Sequence, residues 1–203
     1  MLTDHVTPDR ASKLLYADER AAQWLARYEL LRKAMPNHPW PALMSDAILR
    51  DAVAEAARGK RSLDGFLPSL LTALQSLLVY PLDRLMETEA PESITVPTGN
   101  RIRLQYAPQN DYPDELTPPV LAVRLQELFG LTDTPKVAAG RVPVILHLLG
   151  PNYRAVQVTQ DLRSFWATTY FQVRKDLKAR YPRHAWPEDP LTAPPQAKGR
   201  PQK

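Results

Sequence analysis

The sequence predicts an α+β protein: a small N-terminal helical bundle, then a small antiparallel β module with a C-terminal amphipathic helix. Three features favour this class. Apolar residues recur at three- and four-residue steps through residues 14–86, which is the period of helices that bury one face. From residue 91 onward, short segments alternate apolar and polar residues, as half-buried strands do. Helical periodicity then returns over residues 162–177.

The helical bundle is expected over residues 16–92, after a polar and flexible N-terminus of residues 1–15. Its first helix should run from Leu14 to Met35 and end at Pro36, because proline lacks the amide proton and clashes with the preceding turn. Three further helices are expected, over residues 45–57, from about residue 62, and over residues 67–80, with a short final turn at 82–86.

The β module is expected over residues 93–190, with hairpins near 93–106 and 141–159. Between the hairpins, a helix is expected from Val120 to Phe129, because leucines recur there at helical spacing and Gly130 follows as a stop. Residues 191–203 are basic and of low complexity, so we expect a disordered tail.

The first hairpin separates apolar from cationic side chains. Gly99–Asn100 supplies the residues that a tight turn requires. Because successive strand residues face opposite sides, Ile102 and Leu104 share the face that we expect to be buried. Arg101 and Arg103 then share the opposite face, where they can meet an anion.

The C-terminal helix is expected to begin near Thr159 and to carry cations beside its apolar stripe. The stripe consists of Leu162, Trp166, Thr169, Val173 and Leu177. At about 100° per residue, Arg163, Arg174 and Lys178 fall within roughly 60° of one another, and Lys175 lies slightly further round. A solvated face is the ordinary interpretation of such a row. The charge of the whole second half favours a functional one.

Composition excludes several kinds of site and divides the chain electrostatically. The 203 residues include no cysteine, which excludes disulfides, thiolate zinc sites and cysteine nucleophiles. No apolar run is long enough to span a membrane and no N-terminal signal is indicated, so we expect a cytoplasmic protein without membrane contact. Residues 1–92 hold 11 Lys/Arg and 13 Asp/Glu, whereas residues 93–203 hold 15 and 9. A basic second half favours an anionic partner, nucleic acid first.

No catalytic residue, metal ligand or cofactor site is expected from the motifs. The nearest approach to a P-loop, Gly59–Ser62, lacks the first glycine and has Arg61 where the metal-binding hydroxyl belongs. The four histidines show none of the spacing of a helical zinc site. The frame P-x-H-x-W-P occurs at 36–41 and again at 182–187, and we interpret both copies as a tryptophan that packs beside prolines to end a helix.

The second half contains SITVPTGNRIRLQY (93–106), PPVLAVRLQELFGL (118–131), GRVPVILHLLGP (140–151) and AVQVTQDLRSFWATTYFQVRKDLKARYPRHAWPEDP (155–190). These segments resemble the C-terminal region of the HrpB-type bacterial ATP-dependent helicases, which are DExH-box proteins of superfamily 2. The stretch 16–92, including GKRSL at 59–63, is similar to the region just upstream in that family.

The resemblance implies an accessory role and no ATP hydrolysis by this chain. Full-length members have two upstream RecA-like motor domains with the P-loop, the D-E-x-H box and the arginine fingers. None of these motifs occurs here, since Asp18–Ala21 is not a D-E-x-H box. The chain is therefore expected to be the terminal piece of a longer or split helicase, or a chain with the accessory region alone.

Our leading expectation is a noncatalytic accessory domain of an HrpB-like helicase that binds single-stranded nucleic acid, RNA in preference, and works with motor domains in cis or in trans. The candidate nucleic-acid-binding residues are Arg101, Arg103, Arg163, Arg174, Lys175 and Lys178. Tyr170 and Phe171 are candidates for base stacking, whereas core packing is favoured for Trp166.

The alternative is a protein-interaction module that docks on a separate helicase core without contacting nucleic acid. It predicts an uncovered apolar patch on the helices of residues 16–92.

Overall fold

The computed structural model describes residues 6–58, 65–106 and 116–197. The chain divides into two compact units: unit 1 comprises Met1–Ala90 and Tyr106–Thr117, and unit 2 comprises Pro91–Gln105 and Pro118–Lys203. Unit 1 contains helices, and unit 2 contains the sheet and the C-terminal helix. The predicted α+β class is therefore confirmed. The helix start expected near residue 62 and the GKRSL segment lie outside the described residues.

The described helices of unit 1 are α1 (Pro8–Ala17), α2 (Glu19–Ala34), α3 (Asp46–Ala56), α4 (Phe66–Gln75) and α5 (Leu82–Glu89). Fully buried side chains on three of them contribute to the core of the unit: Leu15, Leu25, Tyr28, Leu70 and Leu74. Ser45 caps α3, because its hydroxyl accepts a hydrogen bond from the Ile48 amide. In the parts of the chain that the structure describes, no helix is both long and apolar enough to cross a bilayer.

A break at Asp18 makes the prediction of one helix from Leu14 to Met35 wrong. The backbone of Asp18 is extended, and its amide donates to the Leu14 carbonyl at 3.2 Å, which ends α1. Its carboxylate accepts from the Ala21 amide at 2.8 Å and so begins α2. One residue therefore ends α1 through its extended backbone and caps α2 through its carboxylate.

The start of the chain is also more ordered than expected. Within the segment assigned to a flexible N-terminus, Pro8–Ala17 forms α1, and the Thr7 hydroxyl accepts a hydrogen bond from the Arg10 amide. Ala11 and Leu15 are fully buried. Burial of these two side chains holds a helix whose polar sequence alone suggests a frayed end.

The strands of unit 2 are β1 (Ser93–Thr95), β2 (Arg101–Gln105), β3 (Val120–Arg124), β4 (Lys136–Val137), β5 (Val142–Pro143), β6 (Ile145–Leu149) and β7 (Ala155–Thr159). Five of them form one sheet in the order β1-β2-β3-β6-β7, and β4 pairs with β5 separately. β3 and β6 are parallel, so the sheet is mixed rather than wholly antiparallel. Leu104, Leu121 and Leu146 are successive cross-strand partners and are buried, which identifies the core face.

The expected helix from Val120 to Phe129 is wrong in its first half. Residues 120–124 form β3, and only Leu125–Leu128 is helical, as one 3₁₀ turn. The strand lies between β2 and β6, where both of its edges find hydrogen-bonding partners. Leu121 and Val123 alternate into the core. Tertiary pairing thus overrides the helical spacing of the leucines.

The C-terminal helix contains one irregular turn. α6 (Leu162–Ser164), a π-helical turn (Phe165–Thr169) and α7 (Tyr170–Arg180) follow one another without a gap. In the π turn the Tyr170 amide donates to the Phe165 carbonyl, five residues back. The cap is Asp161 rather than the expected Thr159, because the Asp161 carboxylate accepts from the Ser164 amide at 2.9 Å.

Both P-x-H-x-W-P segments end a helix in the same way, which confirms their interpretation. The residue before the first proline has nearly the same backbone conformation in both segments. Met35, after α2, has φ −129° and ψ 58°, and Tyr181, after α7, has φ −131° and ψ 62°. The indole nitrogen of Trp40 donates to the Met35 carbonyl at 2.9 Å, and that of Trp186 donates to the Tyr181 carbonyl at 2.8 Å. Proline prevents continuation of each helix, and tryptophan satisfies a carbonyl that the helix leaves unpaired.

A buried tyrosine in each unit should make the protein sensitive to alkali. The hydroxyl groups of Tyr28 and Tyr170 donate to the carbonyls of Pro41 and Pro187, and burial raises the pKa of each to about 12. An unfolded chain ionises tyrosine near pH 10. Stability should therefore be fully present below about pH 10 and fall as the pH rises toward 12, because only the unfolded state loses the protons readily.

Urea unfolding between pH 8 and about pH 11 measures this decline. Tyr170→Phe should lower stability at pH 8 by about 1 kcal/mol through the lost hydrogen bond, yet flatten the alkaline decline. Tyr80→Phe, which changes a ring that is 77% exposed, is the matched control. A decline of the same steepness in wild type and Tyr170→Phe would contradict the prediction.

Candidate functional site

Arg101 and Arg103 lie on the exposed face of β2. Leu104, the residue that follows Arg103, is only 1% exposed and faces the core. The register pairs Arg103 with Ser93, and the Arg101 guanidinium donates to the Ser93 hydroxyl at 3.0 and 3.2 Å. The two cations thus share the face of the hairpin that is opposite its buried side.

The turn of this hairpin is fixed by a buried carboxylate. One oxygen of Glu127 accepts from the Asn100 side-chain amide at 2.8 Å and from the Thr98 hydroxyl at 3.4 Å. The other accepts from Arg124 Nε at 3.0 Å, and both side chains of this ion pair are buried. Gly99, with φ of 84°, allows the chain to reverse direction between Thr98 and Asn100. Glu127 therefore connects the arginine-bearing hairpin to the 3₁₀ turn after β3.

Part of the predicted tail reaches the same network. Arg124 Nη2 donates to the Gln196 carbonyl at 3.3 Å, and the Gln196 amide donates to the Gln126 carbonyl at 2.8 Å. The Arg124 guanidinium also lies 5.7 Å from the centre of the Tyr153 ring. Gln196, which the sequence assigns to a disordered tail, is thus hydrogen-bonded within unit 2, and residues 198–203 lie outside the described residues.

The helical arginines both have acidic partners. Arg163 bonds Asp133 at 2.9 Å with both side chains well exposed. Arg174 is half-buried, donates to the Trp186 carbonyl at 2.8 Å and lies 3.3 Å from Glu188. An exposed ion pair contributes little to stability, so Arg163 can exchange Asp133 for another anion. Arg174 is also bound to a backbone carbonyl, so it is less available than Arg163 to bind another anion.

Lys175 and Lys178 lie exposed on α7, and the described residues include no ion-pair partner for either. The π turn changes which arginine lies on the same side of the helix as these lysines. The extra residue moves Arg163 about 100° around the helix axis, so that it lies about 80° from Arg174 rather than beside it. Arg163 then falls within about 40° of both lysines. We call the exposed side of the helix that contains these three residues and Phe171 the outer face.

The aromatic side chains of this helix divide between core and solvent. Trp166 and Tyr170 are buried, with ring centres 5.3 Å apart, and the indole of Trp166 donates to the Leu131 carbonyl at 2.8 Å. Core packing of Trp166 is confirmed, and base stacking by Tyr170 is excluded by its burial. Phe171, at 52% exposure, is the one of the three rings that meets solvent.

Sequence reasoning missed the Arg124–Glu127 pair because it assigned both residues to one helix from Val120 to Phe129 and considered only the leucines for burial. The available signal was two opposite charges three residues apart inside an apolar stretch that also had to be buried. It also missed the partners of Arg163 and Arg174, since Asp133 and Glu188 are distant from them in sequence. The structure places the hairpin arginines and the helical cations on separate elements of unit 2.

Comparison with known proteins gives consistent matches to one family. The family model described as "ATP-dependent helicase C-terminal", HrpB_C, matches residues 53–190. The ATP-dependent RNA helicase HrpB of Escherichia coli (strain K12) is 38% identical over 188 residues, which cover 85% of this chain and 22% of that protein.

Two solved structures agree with this result. The crystal structure of the E. coli DExH-box NTPase HrpB superposes with a TM-score of 0.73 at 38% identity, covering 88% of this chain and 22% of that one. The crystal structure of the Escherichia coli DEAH/RHA helicase HrpB gives 0.63 at 37% identity, covering 83% and 21%. This chain thus spans about a fifth of the length of the relatives that it matches.

Replacing Glu127 should expose the cost of the buried charge pair. Glu127→Leu leaves Arg124 buried without its carboxylate and should destabilise unit 2 by about 3–5 kcal/mol. The double variant Arg124→Met, Glu127→Leu should recover part of the loss, because no charge remains buried. Urea unfolding measures both. Asp133→Asn, which removes the exposed partner of Arg163, is the control and should change stability by less than about 0.5 kcal/mol. Equal losses for Glu127→Leu and the control would refute the assignment.

Proposed function

The chain belongs to the HrpB family of helicase C-terminal regions, and from this premise we propose that it is a noncatalytic accessory domain that binds single-stranded nucleic acid for an HrpB-type motor. RNA is the first candidate because the E. coli relative is named an RNA helicase. The observation that carries the proposal is the solvent exposure of two cation sets in unit 2: the outer-face residues Arg163, Lys175 and Lys178, and the hairpin arginines.

Such cations bind the phosphate backbone without reading bases. Each phosphate that Lys or Arg neutralises releases condensed counterions, which favours binding at low salt and weakens it as salt rises. The hairpin arginines benefit from the Glu127 contacts, since a turn that is fixed before binding loses less entropy on binding. The proposed partners are a single strand and the motor domains, in cis or in trans. We assign no ATP hydrolysis and no cofactor to this chain.

A salt series of RNA binding tests the proposal. Fluorescence anisotropy of a labelled oligouridylate should show that the logarithm of the association constant falls linearly with the logarithm of the salt concentration. The double variant Lys175→Gln, Lys178→Gln should reduce the slope by about 0.7 per lost phosphate contact. Arg174→Gln should have a smaller effect, because Arg174 is already bound to the Trp186 carbonyl and Glu188.

The matched control removes the same charge from unit 1, through Lys13→Gln and Arg58→Gln, both exposed cations. It should retain the wild-type slope. Absence of RNA binding by the wild-type chain at low salt, or an equal loss in the control, contradicts nucleic-acid binding. RNA-stimulated ATP turnover by the purified chain contradicts a noncatalytic role.

A second candidate function is docking on a helicase core, and one observation favours it. Leu77, Val79 and Tyr80, between α4 and α5 in unit 1, are 42%, 67% and 77% exposed. Three large apolar side chains within four residues form the kind of uncovered patch that a protein partner covers. This is the feature that the docking alternative predicts for the helical region. The two functions are compatible, because the patch and the cations consist of different residues.

Binding to a motor fragment tests docking. Leu77→Ser, Val79→Ser should weaken binding to the part of E. coli HrpB that this chain does not match, because less apolar surface is buried on association. Isothermal calorimetry or co-purification measures this, with Lys175→Gln, Lys178→Gln as the control that should bind like wild type. Loss of motor binding in the control alone would reject the patch as the docking surface.

A further inference from the structure

We propose that Phe171 stacks on a base of the bound single strand, while Arg163, Lys175 and Lys178 around it hold the phosphates of that strand. This inference deepens the proposed function and rests on it. It assigns the strand to the outer face of the C-terminal helix, and it adds a contact to the bases that cations alone do not provide.

The helix geometry places these side chains together. Within α7, Lys175 lies about 40° around the axis from Phe171 and about 6 Å along it, and Lys178 lies about 20° around and about 10.5 Å along. On the N-terminal side, the π turn brings Arg163 to within about 20° of Phe171, about 12 Å away along the axis. Cations therefore lie on both sides of the ring along one line of the helix.

The ring of Phe171 is available for stacking. It is 52% exposed, and it contacts Tyr170 edge to face with ring centres 5.9 Å apart. Because Tyr170 is held in the core by its hydrogen bond to the Pro187 carbonyl, it limits the motion of the Phe171 ring. A ring that is half exposed and partly fixed loses little entropy when it packs against a base.

The acids near the outer face neutralise only part of its charge. Asp176 lies about 140° around the helix from Phe171 and accepts a hydrogen bond from Gln172 at 3.0 Å. Asp133 is bound to Arg163, and Glu188 is bound to Arg174 at the edge of the face. Lys175 and Lys178 keep their charge for an anion in solution.

A single exposed apolar side chain is ordinary on a protein surface. The combination of a flat aromatic face with cations before and after it is typical of nonspecific single-strand binding, where stacking is sequence-tolerant because every base has a π face. Phenylalanine has no polar group to read a base edge, so the contact favours no sequence. This agrees with phosphate binding by the neighbouring cations.

The test compares two anionic probes on the full chain. One is a single-stranded oligoribonucleotide that contains 2-aminopurine, whose fluorescence reports stacking, and the other is inorganic polyphosphate, which has the charge but no bases. Phe171→Leu should weaken oligonucleotide binding about tenfold and leave the salt slope and polyphosphate binding unchanged. Phe171→Trp should restore affinity and quenching. Val158→Ala, which shortens an apolar side chain of β7 that is 51% exposed, is the control and should bind like wild type.

The other outcomes separate the two proposals. If the wild-type chain binds the oligonucleotide and Phe171→Leu binds equally well, the stacking role is overturned while nucleic-acid binding stands. If wild type binds neither probe at low salt, both proposals fail. If Phe171→Leu keeps its RNA affinity and instead loses binding to the motor fragment, Phe171 belongs to a protein interface and the stacking proposal is overturned. Circular dichroism of each variant verifies that the fold is retained.

Discussion

One extra residue in the turn Phe165–Thr169 determines both sides of the C-terminal helix. The π turn, in which the Tyr170 amide donates to the Phe165 carbonyl, places Tyr170 about 20° around the axis from Leu162, where a regular helix would place it about 80° away. Trp166 and Tyr170 both contact the ring of Phe129. A regular helix would have turned Thr169 inward instead, as the sequence pattern suggests. The same residue rotates the preceding turn by about 100°, which moves Arg163 onto the outer face. The aromatic core and the candidate strand-binding surface therefore depend on the same local irregularity.

The fold was predictable where local chemistry agrees with tertiary contacts. The hairpin at 93–106 follows from its turn residues and its alternation, and the cap at Ser45 and the tryptophan stops follow from hydrogen bonds within a few residues. β3 was not predictable, because its leucine spacing fits a helix and only the neighbouring strands reveal its state. The break at Asp18 was within reach of sequence reasoning, since aspartate is a favoured cap. The apolar periodicity on both sides concealed it.

The candidate site was predictable in its cations and not in its partners. Exposed arginines on β2 and exposed lysines on α7 follow from the two periodicities, because the apolar side of each element is evident in the sequence. Asp133 and Glu188 reach the helical arginines through the fold, so sequence distance conceals the pairs. The π turn leaves no clear signature in the sequence either. A regular spacing places Thr169 about 20° and Tyr170 about 80° around the axis from Leu162, so the pattern selects Thr169 for the apolar stripe, whereas Tyr170 is the residue that is buried.

Arginine and lysine have different roles in this chain, and the difference limits what net charge can show. Arg27 is buried and donates to the carbonyls of Ala90 and Met86 at 2.6 and 2.8 Å, while Arg124 and Arg174 each bind a carbonyl and a carboxylate. The planar guanidinium, with five donors, suits such fixed positions. An ammonium group is a hydrated point charge on a flexible stem, and Lys175 and Lys178 extend into solvent. Part of the positive charge of residues 93–203 therefore has a structural role. The number of cations that a phosphate can reach is smaller than the net charge suggests, and these cations are on flexible side chains. Under the proposed function, a surface of this kind would hold a strand through its phosphates, without reading its sequence.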